Sequence, residues 1–216
     1  MIEKIGSPGY ETVSDPNVTV LRLIDESLGK GREPTFYEVG VGVGATTLPV
    51  VRRLANRGCA VLFSRERDVR ELAEDLRGLG FDNVDDRWGS AGKTYSGYHF
   101  ELARGFSAGE LPQFDVAYLD GGHVFHLDAP ATCVLKELCA PGGHIVFDDW
   151  YWTLGKSPTL KPSVHRKTAD DYDPLQIETC HVQLVCRTVM DPDPRFEFLG
   201  LEGSTAVYRR LSAVQG

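Results

Sequence analysis

Apolar residues along the chain follow two alternating patterns: short continuous runs, and stretches in which they recur every three or four residues. Continuous runs are typical of buried strands, and the wider spacing is typical of helices that bury one face. The runs predict five strands, at residues 35–42, 59–66, 98–105, 114–122 and 144–150. The wider spacing predicts five helices, at residues 16–31, 45–58, 68–80, 124–143 and 174–190. Two last strands, 195–201 and 205–211, flank a turn that contains Gly203 and predict an antiparallel hairpin.

Strands that alternate with helices are typical of a parallel sheet with helices on both faces. We therefore predict an α/β fold: a single Rossmann-like, doubly wound, mostly parallel sheet that ends in the C-terminal antiparallel hairpin. The length of 216 residues suits one domain, 1–216. We expect an irregular lead-in and a helix at 1–34 and the core at 35–211. Residues 81–97 are polar and glycine-rich, which predicts an irregular segment.

A long polar loop follows the fifth predicted strand, at residues 151–173. Loops of this length inside compact domains are usually functional lids or disordered segments. We predict a lid, with a plain surface loop as the alternative. Its candidate contacts with a substrate are Tyr151, Trp152, His165 and Arg166.

A glycine-rich loop follows the first predicted strand, with the sequence Glu-Val-Gly-Val-Gly-Val-Gly-Ala-Thr from Glu38 to Thr46. Its glycines let the backbone turn tightly and let a ligand approach, and the helix that begins after them offers N–H groups to an anion. The spacing of Gly40, Gly42 and Ala45 also fits a dinucleotide fingerprint, so the glycines alone leave the cofactor open. Glu38 would repel a pyrophosphate but suits an ammonium or a sulfonium.

Carboxylates also stand at the ends of other predicted strands, where ligands bind in such sheets. Glu66 ends the second strand, and a carboxylate there can accept both hydroxyls of a ribose. Asp120, Asp148 and Asp149 follow two strands that we expect to be neighbours. Their oxygens suit Mg²⁺ or another divalent ion. His123 lies three residues after Asp120 and can take a proton from a substrate hydroxyl near neutral pH.

These motifs resemble those of the class I S-adenosylmethionine-dependent methyltransferases. The shared elements are Glu-x-Gly-x-Gly-x-Gly, an acid that ends the second strand, Asp-Gly-Gly-His at 120–123, and Gly-Gly-His-Ile-Val-Phe-Asp-Asp at 142–149. The sequence is most similar to small O-methyltransferases that use a divalent metal, of the catechol and caffeoyl type and of the macrolide-sugar type related to macrocin O-methyltransferase. The resemblance covers roughly residues 35–211.

The resemblance implies a role for each matching residue. The methionine part of the cofactor would contact Glu38, Gly40, Gly42, Gly44 and Thr46, and its ribose would contact Glu66. Asp120, Asp148 and Asp149 would hold the metal, and His123 would act as the base. The family often has Gly-Asp-Ala after the third strand, with the Asp at the adenine. The residues that follow our predicted third strand are Phe106 and Ser107, and Phe106 can stack on the adenine ring.

The amino-acid composition limits the classes of partner and site that we expect. The chain has 31 acidic and 23 basic residues, a net charge of −8, which argues against nucleic acid or an anionic membrane as the main partner. Its five cysteines include no Cys-x-x-Cys pair, which argues against a disulfide framework or a zinc site. The first residues lack the apolar core of a signal peptide, and no apolar run is long enough to span a membrane. We expect a cytoplasmic protein with a small-molecule partner, and the sequence leaves a homo-oligomer open.

The resulting prediction is an S-adenosylmethionine-dependent methyltransferase that methylates an oxygen of a small hydroxylated molecule with the help of a divalent metal, Mg²⁺ being expected. One alternative is an NAD(P)-dependent oxidoreductase, which the glycine spacing allows although the chain has no Tyr-x-x-x-Lys pair. A second is a protein of the same fold that binds without turnover. A third is a hydrolase, because residues 105–109 spell the Gly-x-Ser-x-Gly nucleophile elbow.

Overall fold

The structure is a computed structural model that describes residues 1–91 and 97–212. Its strands, in chain order, are β1 (Thr35–Val39), β2 (Cys59–Arg65), β3 (Val84–Asp85), β4 (Gly89–Ser90), β5 (Phe114–Leu119), β6 (Cys139–Phe147), β7 (Phe196–Glu202) and β8 (Thr205–Arg210). The α-helices are α1 (Val18–Gly29), α2 (Thr47–Leu54), α3 (Glu66–Gly78), α4 (Tyr98–Ala108), α5 (Phe125–Leu138), α6 (Lys167–Asp171), α7 (Pro174–Glu178) and α8 (His181–Val185). Short 3-10 helices lie at Ile2–Lys4, Glu11–Val13 and Leu154–Lys156, and a π-helical turn lies at Cys186–Met190.

Within the described ranges, eight strands form one sheet in the order β3-β2-β1-β5-β6-β8-β7, with β4 paired to the end of β2. The pairs from β3 to β6 are parallel, and β8 runs antiparallel to both β6 and β7. This topology confirms the predicted Rossmann-like sheet with its C-terminal hairpin. The strand order reverses beside β1, which is where ligands bind in such sheets.

Two apolar clusters cover the two faces of the sheet, because neighbouring residues of a strand point to opposite sides. In β1, Phe36 belongs to the cluster that contains residues of α1, α2 and α3, whereas Tyr37 belongs to the one that contains residues of α4, α5 and α8. Both side chains are fully buried. Among the described residues, no helix is long and apolar enough to cross a membrane.

The prediction of a third strand at 98–105 is wrong, because this stretch forms the first eight residues of α4. Tyr98, Leu102 and Gly105 are buried at helical spacing, while Phe100 is 63% exposed. The strands that do occupy the edge of the sheet are β3 and β4, which lie in the segment predicted to be irregular.

Other elements differ in extent. The predicted helix 174–190 divides into α7, α8 and the π-helical turn, and β6 begins at Cys139 rather than at residue 144. The loop 151–173 contains a 3-10 helix and α6, and it buries Leu154 and Thr168. Its role as a lid stays a prediction.

Candidate functional site

A cavity of about 290 Å³ lies at the carboxyl ends of β1, β5 and β6. Register explains why these ends meet: Val39 pairs with Leu119, and Leu119 pairs with Phe147. Seven of the residues predicted from the sequence line the cavity: Glu38, Gly42, Thr46, Asp120, His123, Asp148 and Asp149. The structure therefore brings the glycine loop and the acidic strand ends together around one space.

Gly40 permits the close contact between the glycine loop and the end of β5. Its φ is +89°, and a Cβ at this position would lie 2.0 Å from the backbone oxygen of Asp120. Gly42, with φ of +50°, has open space where its Cβ would be, and it lines the cavity. Gly44 has φ of +84° and packs against the side chain of Leu72. Gly40 thus serves the packing of the loop, whereas Gly42 keeps the cavity wall open.

Glu38 is a buried carboxyl group at the base of the cavity, with 2% of its surface exposed. The hydroxyl of Thr47 donates to its Oε2 at 2.5 Å. Burial raises the pKa of Glu38 to about 8, which the Thr47 hydrogen bond only partly opposes. A cationic ligand beside Glu38 would favour the ionised form.

Thr46 precedes α2 and also lines the cavity. Its hydroxyl oxygen accepts a hydrogen bond of 3.0 Å from the backbone N–H of Asn17. A hydroxyl that accepts still carries a proton, which it can donate to a carboxylate. The Thr46 proton is thus left for another acceptor, and the contact between Thr46 and the cofactor's carboxylate stays a prediction.

His123 lies between two carboxylates. Its Nε2 is 3.3 Å from Asp120 Oδ1 and 3.6 Å from Asp149 Oδ2, and the ring of Trp152 lies 5.5 Å away between centroids. His123 and Asp149 both adopt left-handed backbone conformations, with φ of +52° and +54°. Such conformations cost of order 1–3 kcal/mol outside glycine and are often found at functional sites.

The surroundings of His123, Asp148 and Asp149 raise the pKa of each of these side chains, so that each keeps its proton to a higher pH. Burial alone would lower the pKa of His123, but the hydrogen bond with Asp120 and the surrounding carboxylates raise it to about 9. Burial and the charge of Asp120 raise the pKa of Asp148, and burial raises the pKa of Asp149. The site therefore holds an imidazolium between Asp120 and Asp149 at neutral pH.

Tyr118 is a site residue that the sequence analysis missed. Its hydroxyl donates to Asp148 Oδ2 at 2.6 Å and approaches Asp120 Oδ2 at 3.3 Å. Burial, together with these two carboxylates, raises the pKa of Tyr118. The sequence did contain a signal for Tyr118. It lies two positions before Asp120, and residues two positions apart along a strand point to the same side of the sheet.

The predicted metal ligands do not form a ligand set as they stand. No group of three or more His, Cys, Asp or Glu side chains within residues 1–91 and 97–212 is arranged to hold a metal ion. The imidazole of His123 lies beside Asp120 and Asp149, while Asp148 accepts hydrogen bonds from Tyr118 and Thr205. The donor chemistry suits a divalent ion, but the observed arrangement does not, and we assign no chemical step to a metal.

Five predicted cofactor residues do not line the cavity: Gly40 and Gly44 of the glycine loop, and Glu66, Phe106 and Ser107. Glu66 begins α3, and its carboxylate pairs with Arg70 at 2.5 Å. Phe106 and Ser107 lie in the last turn of α4 with exposed side chains, so their predicted position after a strand is wrong. The same helix rules out the strand-to-helix elbow that a hydrolase nucleophile at Ser107 requires.

After β3, the chain forms β4 at Gly89 and Ser90 and continues to Ala91. β4 extends the sheet beside the end of β2, so these residues occupy the place where the sequence analysis expected residues 105–107. A Cβ on Gly89 would lie 2.5 Å from the Cα of Glu66, so the two strand ends are in close contact. Residues 89–91 read Gly-Ser-Ala and lie at the end of β2, whereas residues 105–107 lie in a helix. An isolated two-residue strand leaves no hydrophobic run by which it could be found.

Residues of the N-terminal segment complete the cavity. Val13 and Asp15 line it, and the N-terminal ammonium pairs with Asp75 on α3. No pattern in this segment predicted a contribution to the site.

The sheet order and the cavity at its switch point define a class I methyltransferase fold. The sequence profile of a family described as "Methyltransferase domain" matches residues 37–150, just over half of the chain. The protein therefore belongs to this methyltransferase domain family, which confirms the resemblance found in the sequence. No curated protein matches the sequence.

Solved structures show the same fold. An O-methyltransferase from Bacillus cereus in complex with S-adenosylhomocysteine has a TM-score of 0.63 and 14% identity, over 98% of this chain and 87% of that one. The S-adenosylhomocysteine-bound methyltransferase PaMTH1 from Podospora anserina has a TM-score of 0.63 and 15% identity, over 98% and 86%. TomG from Streptomyces achromogenes, an O-methyltransferase of tomaymycin synthesis in complex with S-adenosylmethionine, has a TM-score of 0.59 and 14% identity, over 91% and 80%.

Proposed function

We propose that the protein is an S-adenosylmethionine-dependent O-methyltransferase of a small hydroxylated molecule, with His123 as the base. The observation that carries the proposal is the single cavity in which Glu38 and Thr46 of the glycine-loop region face His123 and its carboxylates. The ligands named for the neighbouring structures, S-adenosylhomocysteine and S-adenosylmethionine, support the choice of donor.

The donor side suits a molecule with one cationic and one anionic end. Glu38 supplies a buried carboxyl group for an ammonium, and the Thr46 hydroxyl can donate to a carboxylate. S-adenosylmethionine carries the methyl group on a sulfonium, and when the S–C bond breaks the sulfur leaves as the neutral thioether of S-adenosylhomocysteine. We further propose that Ser90, rather than Phe106 or Ser107, lies nearest the adenine, because it occupies the position after the third strand.

The acceptor side has to align an oxygen with the methyl group and remove its proton. Alignment is the larger part of catalysis for an in-line transfer of this kind. The neutral form of His123, which its pKa of about 9 makes the minor form at neutral pH, accepts the hydroxyl proton on its imidazole. Asp120 and Asp149 stabilise the resulting imidazolium. The ring of Trp152 lies 5.5 Å from that of His123 between centroids, just outside the residues that line the cavity. It is the one predicted loop contact that lies against His123.

A methyl-transfer assay tests this function. Labelled S-adenosylmethionine is incubated with a panel of catechols and glycosides, using wild-type protein, His123→Gln and His126→Gln. His126 lies on α5 away from the cavity and serves as the matched control. We expect transfer by the wild type and by His126→Gln, and a loss of about 10²–10⁴-fold in His123→Gln. Wild-type protein that binds the donor but methylates no acceptor would support the reading of a binding protein without turnover.

A further inference from the structure

Asn17 stands between the N-terminal segment and α1 as the N-cap of that helix. Its side-chain Oδ1 accepts a hydrogen bond of 3.1 Å from the backbone N–H of Val20. Capping explains why an Asn is favoured here. It uses only one polar atom of the residue, and the other polar groups point elsewhere.

Two further groups of Asn17 make hydrogen bonds to two different parts of the fold beside the proposed active site. The backbone N–H donates to Thr46 Oγ1 at 3.0 Å, on the donor side. The side-chain Nδ2 donates to Thr205 Oγ1 at 3.1 Å, at the start of β8. One residue therefore contacts the glycine-loop region and the C-terminal hairpin.

Thr205 passes this contact on to Asp148. Its hydroxyl donates to Asp148 Oδ1 at 3.2 Å. Because the Asn17 amide can only donate to the Thr205 oxygen, the single Thr205 proton is directed towards Asp148. The other oxygen of Asp148 accepts from Tyr118 at 2.6 Å. Both carboxylate oxygens are thus held, which fixes the plane of the Asp148 carboxylate.

Two residues of this hydrogen-bonded series also lie between two cavities. Asn17 and Thr205 line a second cavity of about 510 Å³. Tyr118 and Asp148 line both this cavity and the smaller one that contains His123. The boundary between the two cavities therefore includes Asp148, whose carboxylate Asn17 contacts through Thr205.

We propose that Asn17 is a positioning residue that couples the donor side to the acceptor side, holding Thr46 through its backbone and orienting Asp148 through Thr205. This role rests on the function proposed above. It makes the N-terminal segment part of the active site rather than a lead-in to the fold.

The substitution Asn17→Asp separates this role from helix capping. Asp is as good an N-cap as Asn, and its backbone N–H still reaches Thr46. Its second oxygen cannot donate to Thr205 or to Tyr118, which the Asn17 side chain also contacts. That oxygen instead draws the Thr205 proton away from Asp148. Asn56→Asp is the matched control, because Asn56 also makes one donor and one acceptor hydrogen bond, at Gly80 and Asp82, outside the residues that line either cavity.

The experiment measures kcat and acceptor KM, the affinity for S-adenosylhomocysteine and the thermal midpoint of Asn17→Asp, Thr205→Val, their double variant and Asn56→Asp. We expect kcat to fall about tenfold in each single site variant, the equivalent of one lost hydrogen bond in the transition state. Donor affinity and thermal midpoint should match the control. The double variant should be no slower than the slower single variant, because both changes break the same chain.

Two outcomes would overturn the proposal. One is a kcat for Asn17→Asp and Thr205→Val equal to that of Asn56→Asp. The other is a double variant in which the two losses multiply, since that would mean that the residues act separately. If Asn17→Asp does not fold, Thr205→Val carries the test alone. Failure of the proposed function is distinguishable from these outcomes, because it would appear in the wild-type protein as an absence of methyl transfer.

Discussion

Donor binding should depend on pH through Glu38. This carboxyl group is buried, and burial raises its pKa to about 8 from an ordinary value of 4.5. Within the described ranges no Lys or Arg lines its cavity, and His123 is the lining residue that carries a basic side chain. If the ionised form binds the ammonium of the donor, the ligand binds only the ionised fraction of the protein, and the apparent affinity is reduced by that fraction.

The size of the effect follows from the pKa. With a pKa of about 8, the ionised fraction of Glu38 rises from about 1% at pH 6 to about 9% at pH 7. The affinity for S-adenosylhomocysteine should therefore rise about tenfold over that interval, or about 1.4 kcal/mol, and level off above about pH 8. Binding near pH 7 should also release close to one proton, about 0.9 per ligand.

Calorimetric titration in buffers of different ionisation enthalpy measures both quantities. The perturbation is Glu38→Gln, which keeps the shape of the side chain but cannot ionise, and Glu197→Gln on the exposed hairpin is the control. We expect the pH dependence and the proton release to disappear in Glu38→Gln and to remain in Glu197→Gln. Wild-type affinity that is flat from pH 6 to pH 8, or an equal slope in Glu38→Gln, would refute the reasoning.

Further predictions concern stability, the base, the glycine loop and the metal. Because the folded-state pKa of Glu38 lies above 4.5, its contribution favours folding at low pH and is lost as pH rises to about 8; denaturant unfolding should show wild-type stability falling relative to Glu38→Gln over that range. At saturating donor, kcat should rise with pH through about 9 as His123 loses its proton, and a flat profile would count against His123 as the base. Gly42→Ala should lower the free energy of unfolding in urea by about 1–2 kcal/mol, because its backbone is left-handed. Gly40→Ala should lower it more, because its Cβ would also meet the Asp120 backbone. Equal losses in the two variants would contradict that packing. The metal predicted from the sequence requires Mg²⁺ to displace the His123 imidazolium from Asp120 and Asp149, so Mg²⁺ should lower the pH midpoint of kcat; an unchanged midpoint together with an unchanged rate in chelator would contradict it.

The sequence predicted those parts of the fold that have a continuous apolar pattern. β1, β2, β5 and the hairpin each contain such a run, and the structure places them as expected. The failure at 98–105 has a physical cause. Tyr98, Phe100 and Leu102 alternate with polar residues as in a strand, but the structure exposes Phe100 and buries Tyr98, Leu102 and Gly105. Residues 98–105 therefore fit both a strand pattern and a helix pattern. Gly105 packs closely against Trp88 in the helix, and this contact favours the helical form.

The site was predictable only where strand ends define it. Asp120 and Asp148 directly follow β5 and β6, and Glu38 is the second-last residue of β1. Parallel strands bring such ends together. Asn17 joins the site through contacts with residues 29 and 188 positions away. No local pattern carries such contacts, and the position of Ser90 depends on a strand of two residues.

The central claim, that the cavity binds an S-adenosylmethionine-type donor rather than a dinucleotide, is tested most directly by calorimetric titration of the wild-type protein with S-adenosylhomocysteine and, separately, with NAD⁺. Each titration is made with and without Mg²⁺, near pH 8 where Glu38 is half ionised. We predict that S-adenosylhomocysteine binds at one site per chain and that NAD⁺ does not bind. Binding of NAD⁺ alone would contradict the account, because it would mean that Glu38 and the glycine loop accept a pyrophosphate.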